Sequence, residues 1–161
     1  MRKRSKYRPK PVLQNPLGYV LESMCPVTHH DSYLLDLKIK NSAAMVALLR
    51  GHATKADIDI LIAMSNVTEA LHRLGFGKEY QDVCIGGRVA ILKIVERSGK
   101  HRKFTPTGPE IQLLNALMEL HDAQMDVITI KDMEKALAMV QHEIRYNKDT
   151  IRLPKIPEDV K

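Results

Sequence analysis

The sequence predicts an all-α protein: a single-domain helical bundle of five to six helices, preceded by an extended basic arm and followed by a Pro-containing tail. Three observations carry that expectation. Aromatic residues are scarce, with two Phe, five Tyr and no Trp in 161 residues. The core must then come from Leu, Ile, Val, Ala and eight Met, a set that fills helix interfaces more readily than pleated sheets. A hydroxyl followed three residues later by a carboxylate recurs at Thr54/Asp57, Thr107/Glu110 and Thr129/Asp132. Each pair stands before an apolar run of helical spacing and reads as a helix start. Finally, the charge is segregated. Arg2, Lys3, Arg4, Lys6, Arg8 and Lys10 fall in the first ten residues with no acid among them. Residues 11–161 hold nineteen Lys and Arg against nineteen Asp and Glu, so the whole net charge of +6 resides in the arm.

Taken in order, the predicted organisation is an arm over 1–14, a helical domain over 15–148 and an extended tail over 149–161. Pro9 and Pro11 favour extended backbone in the arm. Asn15 followed by Pro16 reads as an N-cap with Pro in the first turn, opening a short helix to about Met24. Cys25-Pro26 closes it, and Val27 to His30 reads as a loop. Between Asp31 and Gly51 two patterns compete. Tyr33, Leu35, Leu37 and Ile39 alternate as in a strand, whereas Leu34, Leu37, Met45 and Leu48 recur at helical spacing. The helix-forming run Ser42 to Leu49 favours one helix, kinked near Asn41 and ended by Gly51, with a strand over 33–40 as the alternative.

After Thr54, the residues Ile60, Ala63, Met64, Val67, Ala70, Leu71 and Leu74 form one stripe, closed by Gly75. Ile58, Leu61 and Ile62 widen it beyond a single face, which predicts a central helix. The next helix should run from Lys78 to about Arg97 with Tyr80, Val83, Ile91 and Ile94 inward. Gly86-Gly87 in its middle costs about 1 kcal/mol per glycine relative to Ala, which a close helix crossing would explain and a hinge would explain otherwise. Helix 109–127 presents Ile111, Leu114, Leu117, Met118 and Met125, and helix 130–146 presents Met133, Ala136, Leu137, Val140 and Ile144. Two prolines, Pro154 and Pro157, oppose helix in the tail.

The same residues bound the function. Cys25 and Cys84 are too few for a disulfide framework, which fits a reducing compartment. The charged start lacks the apolar segment of a signal peptide, and no run approaches a membrane span. A nuclear-localisation signal shares the arm's composition. A block of cations without acids is a solvated segment that attracts polyanions, and phosphate neutralisation is the chemistry it suits, with Tyr7 placed to stack on a base. Such contacts position a nucleic acid without reading its sequence. Arg97 to Lys103 forms a second basic segment, expected as a loop, in which Lys100, Arg102 and Lys103 extend the candidate binding set.

The remaining chemistry is thin. Cys25-x-x-x-His29-His30-Asp31 is the one cluster with metal-ligand residues, yet zinc wants four ligands in paired spacing, so no metal and no cofactor is expected. His121 falls on the apolar stripe of its helix and reads as a hydrogen-bonded core residue. Glu119, Asp122 and Asp126 read as a solvated acidic face. There is no phosphate-binding loop, dinucleotide fingerprint or nucleophile elbow, so no catalytic residue is assigned.

The opening Arg2-Lys-Arg-Ser-Lys-Tyr-Arg-Pro-Lys-Pro11 resembles the start of small basic proteins borne by phages and prophages of proteobacteria. So do Leu37-Lys-Ile-Lys-Asn-Ser-Ala-Ala44, Gly51-His-Ala-Thr-Lys-Ala-Asp-Ile-Asp59 and Val67-Thr-Glu-Ala-Leu71, and the likeness spans roughly residues 1–75. It implies a mobile-element context in a bacterial cytoplasm and carries no activity or catalytic residue with it. The resulting expectation is a non-enzymatic accessory protein whose arm engages nucleic acid or a nucleoprotein machine while the neutral body holds a partner or another copy. An inhibitor of a host enzyme or defence complex, its arm lying in a nucleic-acid site, is the alternative from another class. A metal-dependent enzyme built on the Cys25–Asp31 cluster is a third.

Overall fold

The computed structural model describes residues 15–101 and 103–146, so the expectations for the arm, for Arg102 and for the tail fall outside the described residues. Within them the chain forms α1 (Pro16–Ser23), α2 (Asp31–Leu49), α3 (Lys55–Leu74), α4 (Gln81–His101), α5 (Gly108–Val127) and α6 (Ile130–Tyr146). No β-strand occurs among the described residues beyond an isolated bridge between Pro26 and Thr129. An all-α bundle is therefore what the sequence folds into.

The predicted starts are built as their chemistry requires. Asn15 caps α1, its side-chain oxygen accepting from the Gly18 N–H at 2.9 Å. Asp57 Oδ2 accepts from the Thr54 N–H at 2.7 Å, and Glu110 Oε2 from the Thr107 N–H at 2.8 Å. Thr129 and Asp132 repeat the exchange at 3.3 Å in both directions. Each pair satisfies donors that a helix start leaves without partners. Gly75 ends α3 with φ of +110°, a left-handed geometry that a side chain would strain.

Residues 33–40 lie inside α2, which removes the strand alternative. Leu34, Asn41, Ala44, Met45 and Leu48 turn inward at three- and four-residue spacing, while Tyr33, Leu35 and Ile39 are exposed. Of the four alternating residues only Leu37 is part-buried, and the other three face solvent. Three local expectations need correction. Val27–His30 is a 3₁₀ turn leading straight into α2 rather than a loop. The basic segment expected as a loop is helical through His101, with Ser98 buried and its hydroxyl donating to Val95 O at 2.6 Å. Tyr80, Leu137 and Ile144, expected inward, are each more than two-fifths exposed, Tyr80 because it ends a short 3₁₀ turn, Lys78–Tyr80, that precedes α4.

Helix α3 is central, touching α2, α4, α5 and α6. Two apolar clusters fill the bundle on either side of its midpoint. One gathers Met45, Leu48, Ile58, Leu61, Ile91 and Leu114; the other gathers Leu34, Leu71, Met125, Ile128 and Ala136. Along the helices between them lie buried polar residues, Asn41 of α2, Ser65, Asn66 and Thr68 of α3, and His121 and Gln124 of α5. Thr68 meets both His121 and Gln124, and Asn41 lines the same cleft as His121.

The glycine pair belongs to a close crossing and not to a hinge, since α4 passes through it unbroken. A Cβ on Gly86 would stand 2.8 Å from Leu113 Cδ2 of α5. One on Gly87 would stand 2.6 Å from Leu117 Cδ2 and 2.9 Å from Leu117 Cβ. Helix α5 occupies the space that side chains at those positions would need.

Candidate functional site

The residues expected to bind a polyanion are placed unevenly. Arg2, Lys3, Arg4, Lys6, Tyr7, Arg8, Lys10 and Arg102 lie outside the described residues. Lys100 stands in the last turn of α4, and Lys103 just beyond it is exposed. Their neighbour Arg97 is committed elsewhere. Its guanidinium forks onto Glu110, Nη1 to Oε2 at 3.1 Å and Nη2 to Oε1 at 2.5 Å, and also donates to Thr105 O. Glu110 is buried, and this hydrogen-bonded cation holds its carboxyl below the ordinary range. One acid thus caps α5 and ties it to α4.

Other cations of the body are likewise matched. Lys38 meets Asp126 at 3.2 Å, Lys40 meets Asp36 at 2.6 Å, and Lys135 meets Asp132 at 3.5 Å. Arg73 and Arg88 share Glu69, and Arg73 also reaches Glu143 of α6. These surface pairs contribute little to stability one by one. Their consequence is electrostatic: these six cations sit beside local acids, whereas the sequence of the arm offers none.

Among the described residues no group of three His, Cys, Asp or Glu is placed to hold a metal ion. Cys25 Sγ donates to Leu21 O at 3.5 Å, and His29 is exposed. Burial pushes the Cys84 thiol up to about 11, helped by Glu69 and Asp82, so it stays protonated and unreactive at neutral pH. Asp122 is raised by its partial burial, and Glu119 and Asp126 are exposed as expected of an acidic face.

A different site emerges where the sequence promised only core. Helices α2 and α6 both pack on α3 and leave a cleft of about 370 Å³ between them. Its floor is the α3 stripe Ile60, Ala63, Met64 and Val67, and its walls include Leu37 of α2 with Met133 and Leu137 of α6. Of that stripe only Met64 is fully buried; Ala63 is exposed. Asn41 and His121 line the cleft too, each only 2% exposed. Asn41 Nδ2 and His121 Nε2 are both buried without a hydrogen-bond partner.

The protonation of His121 follows from its neighbour. Thr68 Oγ1 lies 2.9 Å from Met64 O and 3.0 Å from His121 Nδ1. A carbonyl can only accept, so the single hydroxyl proton goes to Met64 and Thr68 accepts from Nδ1–H. Burial, reinforced by the charge of Lys38, lowers the imidazole pKa to about 4. The ring is neutral at pH 7, and Nε2 carries a lone pair. The position of His121 on an apolar helix stripe was legible in sequence. The cleft beside it was not, because nothing local says which part of the α3 stripe a neighbouring helix covers.

No helix of the described residues is long and apolar enough to cross a membrane. Comparison with known proteins finds no matching family, no matching curated protein and no matching solved structure.

Proposed function

We propose that this chain is a non-enzymatic accessory protein of a phage or other mobile element. Its basic N-terminal arm engages nucleic acid or a nucleoprotein complex, and its helical body binds a partner. The observation that carries the reading is the partition of charge: six cations and no acid in the first ten residues, against equal numbers of each sign in the rest. Free energy of polyanion binding comes largely from released counterions, and a run of cations without acids is the sequence form that releases most. The ion pairing of Lys38, Arg73, Arg88, Arg97 and Lys135 supports it by tying these body cations to local acids.

Support for a partner-binding body comes from two exposed apolar stripes. Helix α1, directly after the arm, exposes Leu17 and Leu21, and its C-cap Met24 continues the same spacing, by 76%, 67% and 65%. Helix α4 exposes Ile85, Val89 and Leu92 in the same fashion. Contiguous apolar surface of this kind marks interaction sites more often than it occurs idly.

The test replaces all six arm cations by Gln and measures binding to duplex DNA and to single-stranded RNA across a salt series. The wild-type chain should bind one of them with a log–log salt slope approaching about −5 on the duplex or about −4 on the single strand, and the variant should lose both affinity and slope. An unchanged affinity would reduce the arm to a solubilising segment. A wild-type chain that ignores nucleic acid, yet captures a host enzyme through the same six cations, would favour the inhibitor reading instead.

A further inference from the structure

Helix α2 carries two apolar faces, and the bundle uses one. Leu34, Ala44, Met45 and Leu48 enter the core, while Leu35, Ile39, Val46 and Leu49 are each more than two-fifths exposed. Together with exposed Ser42, the outer residues recur at steps of four, three, four and three, the seam of a helix pair. Single leucines on a surface need no explanation; a seam along one helix does. A helix apolar on both sides is ordinarily covered on both. We infer that this outer face pairs with α2 of a second copy of the chain, the two helices running antiparallel across a two-fold axis level with Ala43.

Shape and charge select a copy of the same helix as the occupant. Run antiparallel, Ile39 lies beside the partner's Leu49 and small Ser42 beside the partner's Val46, so the axes can approach closely and no charge enters the seam. At each end Asp36, which meets Lys40 of its own helix at 2.6 Å, comes opposite the partner's exposed Arg50. Two-fold symmetry makes that contact twice. A parallel pair would instead hold Asp36 and Arg50 fourteen residues apart, about 21 Å along the axis. Helix α4 fails the same test. Its exposed Ile85, Val89 and Leu92 are bracketed at seam spacing by exposed Asp82 and Glu96, so pairing two copies sets an acid against an apolar residue or its own image. The size fits a reversible dimer. One face of a 19-residue helix, about 28 Å long, buries on the order of 1,000 Å² with its copy, the lower end of stable interfaces. Such a dimer carries two basic arms and can grip a polyanion at two points; that consequence rests on the function proposed above, and the pairing itself does not.

The test is sedimentation velocity of the full-length protein, freed of nucleic acid, from about 1 to about 500 µM in about 0.15 M salt. A dimer should form as concentration rises and dissociate on dilution, with a dissociation constant of micromolar order. Val46→Glu, at an exposed position, should leave the helical circular dichroism unchanged and weaken association by about a hundredfold or more. Asp36→Arg and Arg50→Glu should each weaken the dimer about tenfold, and the double variant should return to within about threefold of wild type. A chain monomeric at every concentration, a dimer that survives Val46→Glu, single reversals without effect, or a double variant no better than the singles would each overturn the inference. Monomeric protein that still binds nucleic acid through its arm would overturn the pairing and leave the proposed function standing.

Discussion

At the scale of single residues, His121 should set part of the acid response. In the unfolded chain its ring protonates near 6.5, and in the fold near 4. Between those values the unfolded state binds more protons, so unfolding free energy falls as pH drops from about 6.5 towards 4 and levels off below. The loss amounts to about 3 kcal/mol. Urea denaturation over a pH series checks this, with His121→Gln as the control whose curve lacks that segment. The two central glycines give a sharper contrast. A methyl on Gly86 meets only the flexible, partly exposed end of Leu113, so Gly86→Ala should stabilise by about 0.5 kcal/mol through helix propensity. A methyl on Gly87 meets Leu117 at its Cβ as well as its tip, and Leu117 is fully buried. Gly87→Ala should therefore cost about 1–2 kcal/mol despite the same propensity gain. Opposite signs for the two in chemical denaturation test the crossing geometry.

At the scale of elements, the three Thr-x-x-acid starts look equivalent in sequence and are not. Thr54/Asp57 caps α3 at an exposed end, so Thr54→Ala should cost about 1 kcal/mol. Glu110 caps α5, is buried, and is the partner that neutralises Arg97 of α4. Glu110→Ala removes the cap and the carboxylate that Arg97 forks onto, so its loss should exceed that of Thr54→Ala. Equal losses for the two variants would mean that the Arg97 link adds nothing. The same link spans the expected loop from α4 to α5. Arg97, read from sequence as one charge in a basic run, is held by an acid thirteen residues later that propensity does not connect to it.

At the scale of the whole molecule, the bundle depends on α3 and not on the arm. Met64 is buried against the first cluster, so Met64→Asp would place a charge there without a partner, and loss of the cooperative thermal transition is expected. Deleting residues 2–10 removes six cations and leaves every described cap and both apolar clusters in place. The thermal midpoint should shift by no more than about a degree or two, while retention on a heparin column should drop sharply. A large fall in the midpoint would show the arm packed on the body.

What the sequence determined by itself was local. Capping pairs, the stop at Gly75 and the three- to four-residue recurrence of Leu, Ile and Met mark helix ends and inward faces, since these depend on neighbours within a turn or two. The uneven charge was equally legible, because counting it needs no fold. What only the tertiary structure decided was which part of each apolar stripe is covered. Ala63 and Leu71 belong to one stripe in sequence, yet Ala63 stands exposed on the cleft floor and Leu71 is fully buried core, because α2 and α6 meet α3 without closing over all of it. The same holds for Asn41, Thr68, His121 and Gln124, polar residues on three separate helices. Their burial follows from helix register across the bundle, which no local pattern encodes.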